Sequence, residues 1–268
     1  MNLRAFDHPD VCLPVIQRRV TDEFLCLLLG VGELVLSRGR AWVYPSWFPN
    51  RMAFNAAACR LRKTGLIATR CRGGDTVWML TDVGKARMPE SLKATALWNR
   101  KWSGVWYLLA YDVPERQRSY REGLRGFLKR MRMGCLQRSV WVTPRDIRPE
   151  YDDLARAGGV LPFSFLFQAR TVLGRSAQDV VQSAWDFDRL TDIQRRYSDV
   201  CAENLETILS DKADPRQLPS LARGEMRAYL GVMDEDPLLP RELWPPGYLG
   251  ERVHRLHGDF VHEIGKHL

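Results

Sequence analysis

Between Pro49 and Met88 the apolar pattern changes character at a single glycine, and that change restricts the fold more than any other feature of the chain. Before it, Phe54, Ala57, Ala58 and Leu61 recur at i, i+3, i+4 and i+7, the spacing of one helix face, and Asn50 is placed to cap the helix N-terminus. Gly65 stops the helix. Two strand-length runs follow, Leu66 to Cys71 and Thr76 to Leu80, joined by Arg72-Gly73-Gly74-Asp75. Glycine accepts positive φ, so that tetrapeptide suits a tight hairpin. A helix followed by a basic hairpin is how a winged helix-turn-helix reads in sequence.

On a helical wheel the face opposite the apolar stripe carries Asn55, Cys59, Arg60, Arg62 and Lys63, with Arg51 at its start. Arginine can bond guanine bidentately, asparagine can do so with adenine, and lysine reaches phosphate, which makes this a chemically apt major-groove face. An ordinary solvated helix also shows a basic outer face. The surroundings favour DNA: the segment from Asn50 to Arg72 holds six Lys/Arg and no Asp or Glu. The expected interface places Arg51, Asn55, Arg62 and Lys63 in the groove, Arg60 on phosphate, and Arg70 and Arg72 on the wing.

The formal charge of +8 and a pI near 9.4 favour a polyanionic partner. A membrane surface is the competing polyanion, but the longest apolar stretch, Phe24 to Leu36, is interrupted by Gly30, Gly32 and Glu33, so no membrane span is expected. The first residues lack a signal-peptide core, which makes a cytoplasmic address the default. Six cysteines without a CxxC pair argue against a disulfide framework and a cysteine zinc site. His254 and His257 have metal-capable spacing, yet no third ligand is placed beside them, so no metal or cofactor is expected.

In chain order, residues 1–18 read as an arm, with Pro9 and Pro14 discouraging helix. Residues 19–96 form the winged domain: a first helix capped by Thr21, then Trp42, Trp47 and Phe48 against the inner face of the recognition helix, and Pro89 at the close. Residues 97–175 form a second unit. Val105 to Val113 is a near-continuous apolar strand. Glu115 to Met133 is a helix with an apolar stripe (Tyr120, Leu124, Phe127, Leu128, Met131) and a basic stripe (Arg118, Arg121, Arg125, Lys129, Arg132), stopped by Gly134. Leu136 to Thr143 alternates like one strand, Pro149 to Ala157 suits a helix, and Phe163 to Val172 another strand. That order is most of a ferredoxin-like fold. The basic stripe is a possible secondary nucleic-acid face; solvent or an acidic dimer partner accounts for it equally well.

Residues 176–268 read as helical, with helices over Ala177–Trp185, Leu190–Leu209, Leu218–Val232 and Leu249–Ile264. A proline-rich segment before the last is packed by Leu238, Leu239, Trp244 and Tyr248. The expected fold is α+β: an N-terminal winged helix-turn-helix, a central ferredoxin-like domain and a C-terminal helical region.

Several strings resemble the PaaX-type transcriptional repressors, regulators of phenylacetic acid degradation. They are LLLG at Leu27, CRLRKTGL at Cys59, VWMLTDVGK at Val77, DVPERQRSYREGLRGFL at Asp112, SVWVTPR at Ser139 and, most specific, DPLLPRELWPPGYLG at Asp236. The resemblance implies a homodimer, with the helical region contributing to dimerisation, that binds double-stranded palindromic DNA, represses transcription, has no catalytic residues, and is released by an acyl-coenzyme A ligand. Family members often carry Arg where Asn55 stands, so the operator is not inherited. The middle domain also resembles the small ferredoxin-like nuclease subunit of CRISPR spacer integration, where an aspartate ends the first strand as Asp112 does here. That implies an alternative, a Mg²⁺-dependent nuclease, although one carboxylate per chain makes a poor metal site. A further alternative is a non-regulatory nucleic-acid-binding partner of a larger assembly.

Overall fold

Helix α1 (Arg51–Lys63) closes in the way its sequence requires. Gly65 takes φ +71° and donates its N–H to the Arg62 carbonyl (3.0 Å), while Leu66 N–H reaches back to the Leu61 carbonyl (2.9 Å). This is a Schellman termination, which satisfies two orphan carbonyls and needs a residue tolerant of left-handed φ. Strands β2 (Ile67–Arg72) and β3 (Asp75–Leu80) then pair antiparallel, Arg72 opposite Asp75, and a short strand β1 (Glu33–Val35) pairs on the other side of β3, giving sheet order β1-β3-β2. Helix α2 (Asp82–Ala86) follows.

The computed structural model describes residues 3–6, 33–35, 51–72, 75–86, 93–158 and 160–266. The helix expected after Thr21, the aromatic residues Trp42, Trp47 and Phe48, the Asn50 cap, Gly73-Gly74 and Pro89 lie outside the described residues, as does the arm beyond residue 6. The chain forms two compact units. One comprises the winged elements with Thr191–Glu235 and the segment from Leu249; the other comprises Thr95–Leu190 with Asp236–Tyr248.

The second unit opens with α3 (Ala94–Trp98) and β4 (Trp106–Tyr111), followed by a 3-10 turn at Glu115–Gln117, α4 (Arg118–Arg130), β5 (Gly134–Gln137) and β6 (Val140–Thr143). Then come α5 (Arg148–Gly158), a second 3-10 turn at Leu161–Phe163, β7 (Ser164–Ala169) and α6 (Ala177–Ala184). The antiparallel sheet order β5-β6-β4-β7, with helices after the first and third strands, is the complete ferredoxin-like arrangement. Tyr107, Leu109 and Tyr111 face Leu124 and Leu128 of α4; Trp106 and Leu108 face Val180, Val181 and Ala184 of α6 and Leu239 and Leu243 of the proline-rich segment. A strand buried on both faces reads as an unbroken apolar run, which is why β4 stood out in sequence.

The structure corrects two local expectations. Leu136 to Thr143 is not one strand: β5 and β6 form a hairpin turning at Arg138-Ser139, with an irregularity between Cys135 and Gln137. Alternating apolar residues on both arms of a short hairpin mimic a single strand. Gly134 is not the helix stop either. Arg132, at φ +59°, ends α4 through the same Schellman pair, Arg132 N–H to Lys129 and Met133 N–H to Leu128. Its side chain donates to the Asp236 carbonyl, and its own carbonyl accepts from Trp185 Nε1 (3.2 Å). Gly134 instead lies within β5, where a Cβ would come within 2.6 Å of Ala184 Cβ and the Trp185 ring.

The proline-rich segment is buried rather than looped out. Trp98 meets Trp244 edge-on (5.7 Å between ring centres), and Tyr248 donates to the buried Asp236 carboxylate (2.5 Å). Helices α7 (Phe187–Leu209, in the first unit from Thr191 on), α8 (Leu218–Glu235) and α9 (Gly250–Lys266) match the helices read from sequence to within a few residues. The buried seam of α7 runs through Ile193, Tyr197, Cys201, Asn204 and Ile208.

Candidate nucleic-acid interface

Ala58 and Leu61 of α1 are buried with Ile67 and Val77 of the hairpin, which turns Asn55, Cys59, Arg60, Arg62 and Lys63 outward, all exposed. The helix contains no carboxylate, and its last turn carries three cations where helix polarity favours positive charge. Arg60, Arg62 and Lys63 have no ion-pair partner among the described residues. Arg70, on β2, is exposed on the same hairpin that follows α1. Arg51 and Arg72 occupy the first residue of α1 and the last of β2; their side chains lie outside the described residues.

Helix and wing are held together by a polar lock around Thr81. Its Oγ1 donates to the Gly65 carbonyl (2.5 Å) and accepts from Gly84 N–H (3.0 Å), capping α2, while its N–H donates to the Leu66 carbonyl (3.1 Å). A Cβ on Gly84 would fall 2.1 Å from that Leu66 carbonyl oxygen, so α2 approaches the helix terminus closely enough to require glycine. Such bracing holds the end of α1, the hairpin and α2 at a constant spacing.

The basic stripe of α4 is arranged differently. Arg121 makes a bidentate pair with Glu115 (2.9 and 3.2 Å), and this hydrogen bonding holds the Glu115 carboxyl below its ordinary range. Arg125 lies 3.7 Å from Glu122, and Arg132 is committed to the Asp236 carbonyl. Arg118 and Lys129 are exposed and carry no ion pair among the described residues. Asp112 sits just past β4 with its N–H donating to the Phe163 carbonyl (2.7 Å) and its side chain exposed. Among the described residues, no three or more His, Cys, Asp or Glu side chains are grouped to hold a metal ion.

The paired histidines are engaged elsewhere. His257 Nδ1 is 2.8 Å from Glu225 Oε1, which also accepts from Tyr197 Oη at 2.5 Å, and His254 Nδ1 is 2.7 Å from Tyr229 Oη. Tyr229 stacks flat on His257, with ring centres 3.7 Å apart. Burial pushes the Tyr197 hydroxyl well above its ordinary range and His254 below. Sequence reading did not find this network; the signal was a Glu, a Tyr and a His at core positions of three separate helices, visible only once the helices are packed. Among the described residues no helix is long and apolar enough to cross a membrane.

Residues 99–181 match the family model described as the PaaX protein central Cas2-like domain, so the middle of the chain is similar to that domain, in agreement with its ferredoxin-like strand order. Uncharacterized protein Rv0674 from Mycobacterium tuberculosis has a similar solved structure, with TM-score 0.53 at 20% identity over 93% of this chain and 97% of that one, a likeness of fold. No curated protein matches.

Proposed function

We propose that this chain, whose residues 99–181 are similar to the PaaX central domain, is a sequence-specific, double-stranded-DNA-binding transcriptional regulator, acting as a cytoplasmic homodimeric repressor that an acyl-coenzyme A type ligand releases. The observation that carries this reading is the carboxylate-free, exposed face of α1, with Asn55, Arg60, Arg62 and Lys63 next to a wing bearing Arg70. Two such faces on a dimer suit a palindromic site, because two-fold protein symmetry is mirrored in the operator. Base edges select sequence and phosphates supply affinity, so Asn55 and Arg62 are assigned to bases and Arg60 to phosphate. Arg118 and Lys129 of α4 are the members of the second basic stripe left free for phosphate.

No catalytic role is assigned. The Cas2-like description of residues 99–181 supports one rival, a Mg²⁺-dependent nuclease centred on Asp112. Hard divalent cations take several oxygen ligands, and Asp112 offers one carboxylate per chain, which weighs against it. One experiment separates the two: fluorescence anisotropy of the protein on the DNA upstream of its own gene and on a scrambled duplex, with and without Mg²⁺. Tight binding to the native fragment alone, with the DNA intact and release by aryl-acetyl-coenzyme A, supports the regulator. Mg²⁺-dependent cutting of both duplexes would replace it with the nuclease.

A further inference from the structure

The chain's own N-terminal residues occupy a built site on the helical part of the first unit. Arg4 N–H donates to Asn204 Oδ1 (2.7 Å), and Asn204 Nδ2 donates back to the Arg4 carbonyl (2.8 Å). One side-chain amide thus grips a main-chain N–H and C=O together, as a neighbouring β-strand would. The Arg4 guanidinium meets both oxygens of Glu203 (2.9 and 3.1 Å). Two residues on, Phe6 lies 5.9 Å from the Tyr197 ring and edge-on to Phe260 at 6.1 Å, with Gly224 beside it. The contacts come from α7, α8 and α9 in turn.

Asn204 is 1% exposed. A buried amide that loses its partners leaves a donor and an acceptor unsatisfied, which is unfavourable enough that the site selects for an extended backbone segment. Glu203 selects a cation at one position and the aromatic pocket a ring two residues later. Tyr197 forms the floor under Phe6 and is fixed by Glu225, which His257 also holds, so the buried network sets the shape of the pocket.

We propose that α7, α8 and α9 form a peptide-docking site for an extended Arg-x-Phe segment, and that residues 3–6 of the same chain are its resident occupant. Seating this segment anchors a stretch of chain that precedes the winged region, and any segment of the same chemistry competes for the anchor. The proposal goes beyond the DNA-binding reading and does not rest on it.

The test uses full-length protein and a fluorescein-labelled peptide with the sequence of residues 1–8. A tethered segment outcompetes a free one, so the double variant Arg4→Ala, Phe6→Ala should bind the peptide about tenfold tighter than the wild type. Adding the exposed substitution Glu203→Lys should remove that gain, and a peptide carrying Arg4→Glu should restore it. Equal affinity of the double variant and the wild type would overturn the proposal, as would a gain that Glu203→Lys leaves untouched. The Arg4 amide should also exchange with solvent more slowly in the wild type than in Asn204→Ala; equal rates would overturn the grip of Asn204 on the segment.

Discussion

Helices α1 and α4 are both 13 residues long, both arginine-rich and both closed by the same pair of backbone hydrogen bonds, yet they treat charge in opposite ways. Helix α1 has no carboxylate and leaves Arg60, Arg62 and Lys63 facing solvent. Helix α4 pairs Arg121 with Glu115 and sets Arg125 near Glu122. A cation already holding a carboxylate has less field to offer a phosphate, since the pair must first be broken. Basic composition therefore does not by itself identify a nucleic-acid surface; the neighbouring acids decide. The terminations differ as well. Gly65 takes left-handed φ without steric penalty, whereas Arg132 takes it at a cost and is held there by its bond to Asp236 and by Trp185.

The contrast is broken most directly at the charges. Replacing Arg60, Arg62 and Lys63 together by Ala should weaken operator binding by about 100-fold or more, whereas Ala at Arg121 and Arg125, which face Glu115 and Glu122, should change it by less than about threefold. Comparable losses in an anisotropy titration would make α4 a second DNA face and erase the distinction. A finer cut is Arg62→Ala alone, expected to remove about 1–3 kcal/mol from specific binding while leaving a random duplex nearly unaffected. An equal loss on both duplexes would reassign Arg62 to phosphate.

At the helix ends, Gly65→Ala should destabilise the protein by about 1–2 kcal/mol in denaturant unfolding, because alanine resists left-handed φ. Arg132→Gly relieves the same strain while losing the Asp236 contact, so its net effect should be smaller; a larger loss of stability would mean that the contact outweighs the strain. Arg72→Ala should weaken all duplexes alike and flatten the salt dependence by about one unit of slope. An unchanged slope would take the wing out of the interface. The smallest expected effect is that of Arg121→Ala, whose exposed pair with Glu115 should leave the unfolding midpoint where it is.

Much of this was legible beforehand where local chemistry suffices. The helix ending at Gly65, the hairpin after it, the doubly buried β4 and the helices α7 to α9 follow from apolar period and glycine placement. The hairpin of β5 and β6 was not legible, because two short arms of the same alternation look like one strand. Gly134 looked like a stop signal because sequence shows a glycine after a helix but not the Trp185 ring lying against it. Within the candidate interface, exposure of Asn55, Arg60, Arg62 and Lys63 was predictable from the wheel; the Thr81 lock was not, since it joins residues sixteen apart.

The sequence by itself determined the helices α1 and α7 to α9, the hairpin after α1 and strand β4, and which face of α1 is basic, because these depend on side chains a few positions apart. Only the tertiary structure decided which cations stay free, which Asn, Glu, Tyr and His become a buried network, and where the N-terminal segment is seated. Those outcomes depend on groups distant in the chain, such as Arg4 and Asn204, and hydrogen bonds between them exist only when packing has excluded the water that would otherwise satisfy each.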